Sequence, residues 1–225
     1  MTSKWLGRTP ALSGAIFAIV AFARGGGDDS APTASSSGQQ IATYAYHHGL
    51  PNSVYQVELW AFLALMVFGI VLYSRLRAAD PQSAITAMIV VAASVVSVAI
   101  KLASFPATYA LYSSPVQLDP GVARALWVLA DFAFTVSMLV QALSLGAVCA
   151  SGLIFGGIPR WLAATAGAIA VALVIGFTLG GNFQVAPTLA WMLWLLVASV
   201  ALFVRAPRAA GKEQPAPTAF AAKAV

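Results

Sequence analysis

Five polar residues on one predicted helix face come closest, by type and spacing, to a chemical site. Ser94, Ser97, Lys101, Ser104 and Thr108 lie in a long apolar segment, at offsets of 3, 7, 10 and 14 from the first. This spacing places all five on one face of a helix. A lysine in hydrocarbon costs about 2.5–3.5 kcal/mol on insertion scales, and such residues face a bundle interior or water. We therefore expect this stripe to meet protein or water.

Two carboxylates in other apolar segments are predicted to lie at the depth of Lys101. Glu58 follows the start of one segment by about five residues, and Asp131 lies about one turn below Trp127 in another. One interpretation is a structural ion pair of Lys101 with Asp131 or Glu58 that fixes helix register. The other is a functional cavity open to the outside, lined by a buried polar cluster of Glu58, Lys101, Asp131, Ser97, Ser104 and Thr135.

The two histidines are neighbours in a loop, which limits the chemistry that they support. His47 and His48 are expected to be exposed, or else to join Glu58 and Asp131 in a metal or proton-handling site. A bis-histidine haem between spans is not predicted, and a single cysteine, Cys149, excludes a Cys-ligated metal site or an intrachain disulfide. No P-loop, GxGxxG, HExxH or Ser-His-Asp order occurs, so enzymatic activity is not the favoured prediction.

The composition indicates that the chain folds in a lipid bilayer. Of its 225 residues, 60% are hydrophobic and only 8% are charged, whereas soluble domains carry about 25% charged residues. The net charge of +5 is typical of a membrane protein with basic cytoplasmic loops. No basic patch is interleaved with aromatic residues outside the apolar segments, which argues against nucleic-acid binding. Expected partners are the bilayer, a small-molecule or lipid ligand, and another membrane protein or a second copy of the chain.

Hydropathy and helix-start signals predict an all-α integral membrane bundle of six transmembrane helices. Residues 1–208 form this domain, residues 25–52 are an outer loop, and residues 209–225 are a disordered cytoplasmic tail. Pro106 predicts a kink near the outer end of the third helix. The expected spans cover approximately residues 6–24, 54–74, 82–105, 121–151, 160–180 and 187–205.

The first apolar segment has an alternative interpretation as a signal peptide. Lys4 and Arg8 would form its basic region, residues 11–22 its apolar region, and Ala21 and Ala23 an A-x-A cleavage site. Both interpretations place the N-terminus in the cytoplasm at insertion.

A row of small residues predicts close packing of the fourth and fifth spans. Ala168, Ala172, Gly176 and Gly180 repeat every four residues in the fifth span, and Gly146 belongs to a similar row in the fourth. Small residues at this spacing let transmembrane helices approach closely.

The segment between the fourth and fifth spans resembles a known family. Ser151-Gly152-Leu153 and, after a short interval, Pro159-Arg160-Trp161-Leu162-Ala163 are similar to a signature of the bacterial multi-pass membrane proteins called domain of unknown function 4386. The resemblance implies a similar length, a six-span layout and a long first outer loop. It implies no particular activity and no catalytic residues.

Three functional hypotheses follow from these observations. The first is a plasma-membrane protein that binds or transports a small molecule or lipid in an outward-facing cavity between the second, third and fourth spans. The second is a structural or assembly subunit whose buried charges only lock helix packing. The third is a membrane enzyme that acts near the outer surface.

Loop charges predict that both termini are cytoplasmic. A reporter fused after Arg77, Arg160 or Lys212 should be cytoplasmic, and one within residues 25–40 should be outside, because basic residues concentrate at one alternate set of helix ends. Reporter activity in intact cells measures this, and an external C-terminus would contradict the six-span arrangement.

Overall fold

The computed structural model describes residues 9–24, 31–33, 35–49 and 52–205, and all regular structure in these residues is helical. The predicted tail at 209–225 and the basic residues Lys4, Arg8, Arg208 and Lys212 lie outside them. Short 3-10 turns at Thr9–Leu12, Pro81–Ser83 and Gly181–Gln184 precede three of the helices. The helices are α1 (Ser13–Arg24), α2 (Gly38–His47), α3 (Asn52–Ala79), α4 (Ala84–Ala103), α5 (Phe105–Tyr112), α6 (Pro120–Ile154), α7 (Arg160–Leu179) and α8 (Val185–Val204).

Among the described residues, five helical segments are long and apolar enough to cross a membrane, as expected for an all-helical membrane protein. They are Ser53–Ala79, Pro81–Tyr112, Pro120–Ile154, Arg160–Leu179 and Val185–Val204. The apolar helix at Thr9–Ala23 is shorter and reaches about 22 Å, against about 30 Å of hydrocarbon. The sixth span therefore stays a prediction.

The stretch expected to be an outer loop contains a helix. Ser37 and Gln40 form a capping box that begins α2, and this pattern satisfies two backbone N–H groups reciprocally. Ile41 and Ala45 on its apolar face are buried against Leu111 at the end of α5 and against the first turns of α6. The segment is too short and too polar for its helical period to have stood out in the sequence.

The membrane helices form a closed ring in chain order. Each of α1, α3, α4, α6, α7 and α8 packs on the next, and α8 packs back on α1. Phe17 and Trp191 pack inside the ring with ring centroids 5.3 Å apart, and Phe68 and Trp194 do so at 6.4 Å. Trp194 also donates a hydrogen bond from Nε1 to the carbonyl of Leu162 at 3.1 Å, which joins α8 to α7.

The helix predicted to be the third span breaks near its C-terminal end, where a kink was expected. α4 ends at Ala103 and α5 begins at Phe105, with Pro106 in its first turn. Proline removes one helical N–H and clashes with the preceding turn. The Ser104 hydroxyl at the break donates to the carbonyl of Lys101 at 2.7 Å.

The helices align at one end of the bundle and differ in length at the other. At the aligned end Arg75 donates to the Leu202 carbonyl at 3.4 Å, and Gly157 lies against the carbonyl of Arg75. α7 and α8 have 20 residues each, whereas α3 has 28 and α6 has 35. At 1.5 Å per residue, α6 extends about 22 Å beyond α7. Residues 52–58, 105–112 and 120–133, with α2 packed on them, form what we call the raised end.

The close approach of α6 and α7 uses other residues than the expected row. A Cβ built on Gly152 would lie 2.7 Å from the Ala163 Cβ, and one on Gly167 would lie 2.5 Å from the Cys149 Sγ. Neither glycine belongs to the expected row, and both mark places where only hydrogen fits between the helices.

The expected row itself lies largely on other surfaces. Ala168 is exposed, Ala172 and Gly180 are partly buried, and a Cβ on Gly146 would meet nothing within 4 Å. Gly176 is buried, but its neighbours are the Phe183 carbonyl and Pro187 at the start of α8. The four-residue period was real, but period alone does not say which face turns inward.

Gly152 and Gly146 offer a matched test of this packing. Gly152→Ala should lower the free energy of unfolding by about 1–3 kcal/mol, because the added methyl overlaps a rigid Cβ. Gly146→Ala should raise it by about 0.5–1 kcal/mol, because alanine is the better helix former and has room there. Chemical unfolding of both variants in one detergent measures the difference, and equal effects would show that the two sites pack alike.

Candidate functional site

Lys101 lies near the end of α4 with an aromatic ring and two carboxylates around it. The side chain is partly buried, and its Nζ lies 5.1 Å from the centroid of the Phe134 ring on α6, which is cation–π geometry. Glu58 and Asp131 both interact electrostatically with it, Glu58 more strongly. The structure thus brings together the charged residues of the predicted cluster and favours Glu58 over Asp131 as the stronger partner.

The hydroxyls of the polar stripe bond to backbone carbonyls. Ser94, Ser97 and Ser104 are buried. Ser97 donates across the helix contact to the Ser137 carbonyl at 2.9 Å, whereas Ser94 and Ser104 donate to carbonyls within the third span. Thr108 donates to the Ser104 carbonyl at 3.3 Å. Ser97 thus joins α4 to α6, whereas the hydroxyls of Ser94, Ser104 and Thr108 donate to carbonyls on their own side of the contact.

Thr135 lies apart from these hydrogen bonds. It is partly buried in α6, one residue after Phe134. Its predicted place in the cluster came from the helix face that it shares with Asp131, four residues before it.

The histidines lie on the exposed surface of the raised end. The His48 ring stacks on Tyr44 with centroids 4.1 Å apart, and His47 contacts the Tyr46 ring edge-on at 5.4 Å. Both border an open cavity of about 440 Å³ along α2. Across the described part of the chain, no group of three or more His, Cys, Asp or Glu side chains could hold a metal ion. A metal site at His47 and His48 therefore has no support from the described geometry.

A second cavity lies beside the aromatic ring of Phe134, which Lys101 contacts. Its volume is about 300 Å³, and α1, α6 and the start of α8 line it. Phe22 of α1, Phe134 of α6 and Leu189 of α8 provide apolar walls, and Gln184 and Thr188 provide polar groups. Sequence analysis expected a cavity between the second, third and fourth spans, whereas both cavities described here lie elsewhere.

The sequence signals for this cavity were weak, because its walls come from three distant segments, and the wall from α1 lies more than 100 residues from the other two. One local signal existed at the turn from α7 to α8. Gly180 and Gly181 have positive φ angles of 74° and 59°, which glycine adopts readily. This turn sets the start of α8 against the end of α1.

Comparison with known proteins does not extend these observations. No family model, no curated protein and no solved structure matches the chain.

The charges around Lys101 predict that its coupling energy with Glu58 is larger than its coupling energy with Asp131. In double-mutant cycles with Lys101→Met, the coupling energy for Glu58→Gln should exceed that for Asp131→Asn, because Glu58 interacts more strongly with the ammonium. Coupled neighbours show interaction energies of about 0.5–3 kcal/mol. Unfolding free energies of the single and double mutants in one detergent give both couplings, and the reverse ranking would contradict the stronger attraction of Glu58.

Proposed function

We propose that this integral membrane protein binds an amphiphilic small molecule or lipid in the cavity between α1, α6 and α8. The observation that carries the proposal is the double role of Phe134. Its aromatic ring forms a wall of the cavity, and the same aromatic ring makes the cation–π contact with the Lys101 ammonium. An apolar space next to a charge is the environment that an amphiphile needs.

The size and lining of the cavity fit such a ligand. Its volume of about 300 Å³ is at the lower end of the range of about 300–1,000 Å³ for small-molecule sites. Phe22, Leu189 and Met192 suit a hydrocarbon portion, and Gln184 and Thr188 supply hydrogen-bonding groups at the helix start. Such sites are mostly apolar, with a few polar groups that fix orientation.

The level of the cavity favours entry from the membrane. It lies where α1 and α7 end and α8 begins, beside the raised end. A molecule dissolved in the outer leaflet would reach it without crossing the hydrocarbon centre. We propose this route for both binding and release.

We further propose a six-span protein of a bacterial plasma membrane with both termini in the cytoplasm. Arg75, Arg77, Arg160 and Arg205 lie at the aligned end of the bundle, and only Arg24 and Arg124, among the arginines of the described residues, lie toward the opposite end. This asymmetry supports a cytoplasmic aligned end. The resemblance to domain of unknown function 4386 supports the bacterial origin.

Leu189 and Leu193 provide a matched pair of variants for the ligand site. Leu189→Trp should reduce the amount of lipid or small molecule that stays bound in native mass spectrometry of the purified protein, because the larger ring fills the cavity that Leu189 lines. Leu193 lies one turn further along α8, is 55% exposed and does not line the cavity, so Leu193→Trp should retain the ligand. Equal retention in both variants would contradict the proposal.

A structural or assembly role is the second candidate. The observation that favours it is the use of the buried serine hydroxyls to join α4 to α6, shown by the bond from Ser97 to the Ser137 carbonyl. A preparation with no bound molecule in native mass spectrometry, in both the unmodified protein and the Leu193→Trp variant, would favour this role.

A further inference from the structure

An uninterrupted apolar stripe runs along the outward face of α6. Its members recur at alternating intervals of three and four residues over 32 residues, which is the heptad spacing of coiled-coil seams. The stripe carries no charged or polar side chain. It consists of Val122, Ala125, Leu129, Phe132, Val136, Leu139, Leu143, Gly146, Ala150 and Leu153.

This stripe points away from the ring of helices. Leu129, Phe132 and Leu143 are 54%, 65% and 59% exposed, and a Cβ built on Gly146 would meet nothing within 4 Å. The residues of α6 that face the ring, such as Val148, are buried. The stripe is therefore a free surface of the isolated chain.

The length of α6 distinguishes this stripe from an ordinary lipid-facing surface. About 20 residues cross the hydrocarbon, so counting back from Ile154 places the outer boundary near residue 134. Val122, Ala125, Leu129 and Phe132 then lie beyond the hydrocarbon, at the raised end. Lipid chains do not reach the outermost of these positions, so another apolar surface is needed to shield them from water.

We propose that a second copy of this chain covers the stripe, with the two α6 helices parallel about a two-fold axis along the membrane normal. Copies in one membrane share one orientation, so a two-fold dimer through α6 brings the same stripe together from both sides. A 3.5-residue seam packs against its own copy with knobs in holes. Gly146 and Ala150 are four residues apart, and two small residues at this spacing allow the closest approach of the two helices.

The area of the stripe is close to the minimum that such a dimer needs. From Val122 to Leu153 it is about 47 Å long and about 10 Å wide, or about 470 Å² on each copy. The pair would bury close to 1,000 Å², which is near the lower bound for a specific interface. The charged residues Arg124 and Asp131 lie beside the seam and outside its heptad positions, so they add no like-charge contact along it.

Cysteine cross-linking tests this dimer in the membrane. In a Cys149→Ala background, Val122→Cys and Leu143→Cys each place one thiol on the stripe, and Ile70→Cys on α3 and Val171→Cys on α7 are exposed controls. After oxidation in liposomes at a high lipid-to-protein ratio, the two stripe variants should form at least tenfold more disulfide-linked dimer than the controls. Similar yields at all four positions, or none at the stripe, would overturn the proposal.

A second measurement uses the close approach at Gly146. Gly146→Leu should weaken self-association at least tenfold in energy-transfer measurements between labelled copies in liposomes, because four added carbons separate the helices. Gly146→Ala should associate like the unmodified protein, since alanine is common at such contacts. The proposal would be overturned if the unmodified protein stayed monomeric at all dilutions, or if both variants associated equally. A different protein would then be the candidate that covers the stripe. The binding of an amphiphile in the Leu189 experiment does not depend on either result.

Discussion

The structure depends on the requirement that hydrocarbon imposes on polar groups. In a bilayer each backbone N–H and C=O must find its partner inside the protein, so the chain crosses as helices. The same requirement acts on side chains, and Ser94, Ser97 and Ser104 meet it by donating to nearby carbonyls. Lys101 satisfies it differently, through an aromatic face and two carboxylates. Within the stripe, Ser97 is the residue whose donated bond joins α4 to α6.

The position of the charges follows from the unequal helix lengths. Glu58 and Asp131 lie where α3 and α6 rise beyond the ends of α7 and α8. In the proposed topology this level lies near the membrane surface, where a charge costs less than it would at the bilayer centre. The cavity beside Phe134 lies at the same level, because α1 ends and α8 begins there. The greater length of α3 and α6 therefore places the two carboxylates, the Phe134 ring and the cavity at one level of the bundle.

Much of the helix layout could be predicted from composition and start signals, because hydropathy and Asp-Pro pairs act locally. Asp119 caps α6 by accepting from the Gly121 N–H at 2.8 Å, at the start that its sequence predicted. The orientation of faces could not be predicted in this way. Gly176 and Gly146 both belong to rows of small residues with a four-residue period. Gly176 is covered by another part of the chain and Gly146 is not, because the way in which whole helices cross decides which face is covered. The cavity is likewise a product of ring closure, since α1 and α8 meet across nearly the full chain.

The attachment of α2 to the raised end has a consequence for how the protein is made. Arg124 donates to the Ser36 carbonyl, and Gln117 donates to the Thr43 hydroxyl at 3.0 Å, across 88 and 74 residues of chain. At translation rates of about 5–20 residues per second, α2 leaves the ribosome about 4–18 s before its docking surface does. Throughout that interval Ile41 and Ala45 have no Leu111 to cover them. The apolar face of α2 therefore becomes covered only after the second half of the bundle has been made.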